Sequence, residues 1–118
     1  MAVFSITEAM VSWLSSMGYA ASSRVPADMP AEFVTVERTG GGAGSYVDHP
    51  VVAVQFWAAT DAEAEAMANA ARAAILTQPK PPGVHSARVN SGPYAFYDEY
   101  TGRARYQLVL DVACQLEI

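Results

Sequence analysis

His49, His85, the lone Cys114, the Asp98-Glu99 pair and the acidic group Asp61, Glu63 and Glu65 are the side chains with which this chain could hold a metal, relay a proton or attack a substrate. Their spacing argues against each. Neither histidine has a Cys, Asp or Glu partner at ligand spacing, Asp48 being merely adjacent to His49. Cys114 lies within a strand pattern, with no histidine or basic residue visibly placed to lower its pKa. It reads as a small buried hydrophobe rather than a reactive thiol, and as the one cysteine it has no internal disulfide partner. Asp98 and Glu99 flank a turn, and Asp61, Glu63 and Glu65 complement the positive end of a helix, so neither group reads as an acid/base pair. No serine sits in a nucleophile-elbow pattern. Gly40, Gly41, Gly42 and Gly44 invite a phosphate-binding reading, but the loop joins two strands, opens no helix and contains no lysine. A long flexible hairpin loop from Gly40 to His49 is expected instead. The sequence thus assigns no catalytic, metal or cofactor-binding residue, and the expectation is a protein that is not an enzyme.

Bulk properties narrow the field further. A chain of 118 residues is one domain with room for one core. Twelve acidic and seven basic residues give a formal charge of -5, which argues against gripping a nucleic-acid backbone. The hydrophobic share is 52%, much of it alanine, so part of the apolar surface is expected to be buried between copies. No run approaches the ~20 apolar residues of a membrane span. Met1-Ala2-Val3-Phe4 is too short and lacks the basic start of a secretory signal, so synthesis in a cytoplasm and no membrane partner are expected.

The elements follow from periodicity. Ser5 with Glu8 is a capping-box pattern, after which Ile6, Met10, Trp13, Leu14 and Met17 recur at helical spacing up to Gly18. Its polar face lacks the Lys or Arg of a membrane-surface helix, so core packing is expected. Tyr19 to Ala31, with Pro26 and Pro30, reads as an irregular connection with a short strand near Arg24 and Val25. Glu32 to Thr39 alternates as a strand, and Val51 to Ala58 is β-branched and aromatic. Thr60 with Glu63 then caps a second helix whose buried stripe is Ala64, Met67, Ala68, Ala71 and Ile75, ending before Pro79. Val84 to Asn90 reads as a strand broken by Ser91-Gly92-Pro93, with His85 and Arg88 on opposite faces. Tyr94, Phe96, Tyr97 and Tyr100 cluster around Asp98 and Glu99, and Tyr106 to Ile118 alternates as a long terminal strand. The sum is an α+β fold: an antiparallel or mixed four- to five-stranded sheet with two helices packed on one face. Arg103 and Arg105, alternating in the last hairpin, read as solvated charges or rim ion pairs, or as inter-subunit partners of Asp98 and Glu99.

Three segments, taken together, resemble the small tail terminator (tail-completion) proteins of long-tailed phages and prophages. They are Glu32 to Gly41, Pro50 to Thr60 leading into the alanine-rich helix, and Asp98 to Tyr106 before the terminal strand. The resemblance spans nearly the whole chain and lies in the order and spacing of strand and turn patterns. Where a proline would stand in the Gly-x-Pro-Arg-Tyr-like turn, this sequence has Ala104. What the resemblance implies is a structural virion protein of the tail and neck: a homo-oligomeric ring, generally of six copies, that caps the tail tube and halts its polymerisation. Implied partners are further copies, the major tail tube protein and the head-tail connector or neck proteins, with DNA passing through the lumen without sequence-specific binding. Candidate subunit or tube contacts are Arg38, Gly41 and Tyr46 in the first hairpin and Asp98, Glu99, Arg103 and Arg105 in the last. The alternatives are another neck or head-completion protein, or a small ferredoxin-like ligand-binding or enzyme domain.

Overall fold

The computed structural model describes residues 4–116; Met1–Val3 and the last two residues of the expected terminal alternation, Glu117 and Ile118, lie outside them. The elements are α1 (Ile6–Ser16), β1 (Ala21–Ser22), β2 (Phe33–Ala43), β3 (Asp48–Ala58), α2 (Asp61–Thr77), β4 (Val84–Ala95) and β5 (Ala104–Cys114). Both helices start where the capping boxes put them. The Ser5 hydroxyl accepts from the Glu8 N–H, the Thr60 hydroxyl accepts from the Glu63 N–H, and Thr60 also donates to the Glu63 carboxylate at 2.7 Å. At the other end of α1, Gly18 takes φ +100°, a backbone conformation that side chains disfavour, and stops the helix.

The five strands form one mixed sheet in the order β1-β2-β3-β5-β4, with β1 parallel to β2 and every other pair antiparallel. The chain leaves β3 through α2 and returns as β4 two places away, and β5 then inserts between them. Both helices lie on one face. Ile6, Met10 and Leu14 of α1 and Ala68, Ala71 and Ile75 of α2 share a core with Val34, Val36, Val52, Val54, Phe56, Leu108, Leu110 and Cys114. Ala64, Ala68 and Ala71 are fully buried, so α2 meets the sheet through methyl groups and packs close to it. Cys114 is part of that core, as a small hydrophobe would be.

Four local expectations need correction. The stretch from Gly40 to His49 is not a long loop: Gly40 to Ala43 pair residue by residue with Val51 to Asp48, leaving only four residues, 44–47, outside the strands. Glycine disfavours strands by entropy but does not forbid the ladder, and the backbone pairing carries it. The short first strand is Ala21–Ser22 rather than near Arg24 and Val25. Ser91-Gly92-Pro93 does not end β4, which absorbs those residues as register shifts and continues to Ala95. A further shift between Val84 and Ser86 interrupts the strict alternation that set His85 against Arg88; both are exposed.

The β2–β3 hairpin is locked by charge. Asp48 is 2% exposed, and its carboxylate accepts from both terminal nitrogens of Arg38, at 2.5 and 2.9 Å, while Arg38 Nε donates to the Gly40 carbonyl across the bulge. The Arg38 hydrogen bonds hold the Asp48 pKa below the usual carboxylate value against the opposing pull of burial. Because the folded-state pKa is depressed, this pair contributes fully above the unfolded value of ~3.9 and is lost as the pH falls through the native one. Arg38→Met should therefore destabilise the fold by about 2–4 kcal/mol at neutral pH, through a buried carboxylate that loses its cation. Urea titrations should find the gap between variant and parent widest near neutrality and narrowing below the ordinary carboxylate range.

Candidate functional site

Opposite the helices, the sheet presents a second face built by the alternate residues of the same strands. Phe33, Trp57 and Arg105 lie side by side across β2, β3 and β5, and Thr35, Gln55 and Gln107 form the next row. The second row is a chain of hydrogen bonds. Thr35 Oγ1 accepts from Trp57 Nε1 at 3.0 Å and donates to Gln55 Oε1 at 2.8 Å. Gln55 Nε2 donates to Gln107 Oε1 at 2.7 Å and to Glu37, and Gln107 Nε2 donates to the Tyr94 hydroxyl at 2.6 Å. Thr35 and Gln55 are buried, and no buried side-chain polar atom among the described residues lacks a partner.

The aromatic row is closed by arginines. Phe33 stacks on Trp57 with centroids 5.1 Å apart. The Arg105 guanidinium lies between two rings, 4.8 Å from the centroid of Trp57 and 4.3 Å from that of Phe96, and its Nε donates to the Phe96 carbonyl at 2.6 Å. Arg103 lies over Phe33 and donates to the carbonyls of Met29, Pro30 and Ala31, tying the connection between β1 and β2 to the last hairpin. Between that connection and the hairpin a cleft of about 460 Å³ opens, floored by Thr35, Gln55 and Trp57 and walled by Arg24 and Val25 on one side and Phe96, Asp98 and Tyr100 on the other. Its polar floor groups already bond to one another, and the walls add the rings of Phe96 and Tyr100 beside Arg24, Glu37 and the hydrogen-bonded pair Asp98 and Thr101.

The candidate contact residues belong to two hairpins at opposite ends of β3, ten residue steps or about 33 Å long: Arg38, Gly41 and Tyr46 to the β2–β3 hairpin, with Arg38 level with Val52 towards the middle, and Asp98, Glu99, Arg103 and Arg105 to the β4–β5 hairpin. Gly41 has φ +89°, and a Cβ there would lie 2.0 Å from the His49 carbonyl oxygen, so its role is to let the bulged hairpin close. Tyr46 at that tip is 88% exposed. Asp98 accepts from the N–H and hydroxyl of Thr101, which lower its pKa, the hydroxyl contributing most. Its job is to shape the turn. Arg103 and Arg105 are half-buried and have no carboxylate within 4 Å among the described residues; both are fastened to backbone carbonyls and rings.

No protein-family model matches this sequence, and no curated protein is significantly similar to it. Among the described residues no three His, Cys, Asp or Glu side chains gather as a metal site, and no helix is long and apolar enough to cross a membrane.

Sequence reasoning missed the hydrogen-bonded row and the clamp on Arg105. The one visible signal is Gln55, the lone polar residue within the apolar run Val51 to Ala58. The clamp predicts a distinction between cations. Arg105→Lys keeps the charge but loses the planar stacking between Trp57 and Phe96. The variant should be less stable by about 1–2 kcal/mol and should shift the tryptophan emission as the cleft wall loosens. Thermal unfolding followed by intrinsic fluorescence measures both.

Proposed function

We propose that this protein is a structural component of a phage-like tail: a ring-forming terminator that caps the tail tube, stops its growth and offers a surface for head attachment. The observation that supports this reading is that the three segments resembling that family fall in order on β2, on the central strand β3 and on the last hairpin, next to tips that display exposed aromatic rings. Glu32 to Gly41 is most of β2, Pro50 to Thr60 is β3 and the lead into α2, and Asp98 to Tyr106 is the tip and return of the β4–β5 hairpin. Both hairpins end in exposed aromatic residues, Tyr46 at one end and Tyr97 and Tyr100 at the other, the last fully exposed. Aromatic side chains displayed at tips supply large contact area at little conformational cost. The polar groups beneath are occupied in holding those tips in position. A subunit 42 Å long with contact groups at both ends suits a piece that joins one body to another.

The net charge of -5 fits a lumen that lets DNA slide without adhering. A second reading, a small ligand-binding domain, is favoured by the cleft alone, and its already paired floor argues for the first.

Tube growth distinguishes the two. When purified protein is added to the major tail tube protein polymerising from a defined start, elongation should stop at once, and electron microscopy should find an extra density on one end of each tube. Continued elongation at a molar excess would refute the terminator. Tyr100→Ser should weaken tube or neck binding several-fold while leaving the melting temperature unchanged, because that ring is fully exposed.

A further inference from the structure

The molecule carries a hollow at one end and a knob at the other. Of the eight large hydrophobic side chains exposed among the described residues, six border the cleft or the hairpin beside it: Val25, Met29, Tyr94, Phe96, Tyr97 and Tyr100. Leu76 lies on α2, and Tyr46, 88% exposed, stands alone on the turn between β2 and β3. From Gly40 to Ser45 no side chain is larger than a hydroxymethyl group, so the Tyr46 ring rides on a slim stem. The fold explains only part of that slimness. Gly41 is required by its positive φ and by the closeness of the His49 carbonyl, but a Cβ added at Gly40 or Gly42 would meet nothing within 4 Å, and neither has a positive φ. Glycine inside a strand weakens it, so a glycine that its own chain does not require marks a place where another surface comes close.

We propose that the Tyr46 turn of one copy enters the cleft of the next, its ring lying against Val25, Phe96 and Tyr100. The inference rests on the ring reading above and names its contact. The two ends cannot meet within one copy: Asp48, where the turn joins β3, is seven residue steps, about 23 Å, from Gln55, the nearest floor residue on that strand. The side chain fits in kind. A tyrosine brings an apolar ring and one hydroxyl, and the cleft offers rings with polar groups beside them, the exposed Arg24 guanidinium to donate and the exposed Glu37 carboxylate to accept. It fits in charge, since residues 39–47 carry none and entry buries no ion from the turn. The knob is also preformed, because the Gly44 N–H bonds the Val47 carbonyl at 2.7 Å, and little order has to be gained on docking. A contact between different patches on the two copies is heterologous, so it repeats from copy to copy and closes into a ring where the rotation permits.

Mixing two variants tests the contact. Tyr46→Ala removes the knob and Val25→Glu spoils the hollow; both positions are exposed, so circular dichroism should find each variant folded. Each alone should associate about tenfold more weakly than the parent in sedimentation runs, whereas the two mixed should form a dimer through the one intact knob and the one intact hollow, and stop there. Gly42→Val should leave the subunit at least as stable, melted at dilutions where the parent is monomeric, and yet weaken association. Tyr46→Cys combined with Val25→Cys, the buried Cys114 staying in place, should give on oxidation a covalent ladder beyond the dimer, and each single variant a dimer at most. If the parent forms rings that cap tubes, yet these variants assemble like it and no ladder appears, the knob contact is wrong and the terminator reading stands. Tyr46→Ala rings that form normally but no longer hold tubes give the turn to the tube protein and overturn the contact between copies. If the mixed dimer and the ladder form but tube growth is untouched, the contact stands and the terminator reading falls. A parent that stays monomeric at all concentrations overturns the contact.

Discussion

Strand β3 is covered on both faces, and that constraint governs the rest of the molecule. On the helix side the cover is apolar: Val52, Val54 and Phe56 meet α1, α2 and their neighbours in the sheet. The other face has no helix, so Ala53, Gln55 and Trp57 are shielded by what adjoining strands and loops bring. An uncovered glutamine would be harmless; a buried one costs free energy unless each of its polar atoms is bonded. The Thr35–Gln55–Gln107 row meets that demand within the sheet, and it fixes the side-by-side register of β2, β3 and β5, because a one-residue slip would turn these side chains to the opposite face.

The two arginines of the last hairpin extend the same logic to segments with no regular structure. A guanidinium offers five donors in one plane, so it can satisfy several backbone carbonyls while its flat faces lie against rings. Arg105 does this for the return of the hairpin and Arg103 for the connection between β1 and β2. The cleft between them is thus a consequence of how the open face is shielded. Its walls are two loops held at fixed points, and its floor is the central strand.

Much of the architecture was legible in the sequence because it rests on local rules. Ser5 and Thr60 announced their helices, the alternation from Tyr106 to Cys114 announced β5, and Ala64, Ala68, Ala71 and Ile75 announced the buried stripe of α2. Errors arose where a long-range partner overrides a local preference. Gly40 to Ala43 look like a loop and become strand because Asp48 to Val51 pair with them; Ser91 to Pro93 look like a break and are absorbed because β5 supports both flanks. The arginines were visible as notable residues, but their partners lie more than seventy positions away for Arg103 and across an aromatic pair for Arg105, and spacing along the chain carries no signal of either.

That separation bears on the order in which the chain can mature. The connection from Ser23 to Glu32 lies early in the sequence, yet the guanidinium that fastens Met29, Pro30 and Ala31 belongs to residue 103. During synthesis the amino-terminal helix and the first hairpin have their local partners as soon as they emerge, whereas this connection waits for almost the whole polypeptide. The wall of the cleft is therefore among the last surfaces to be completed, and a nascent or shortened chain lacking the final hairpin would not present it.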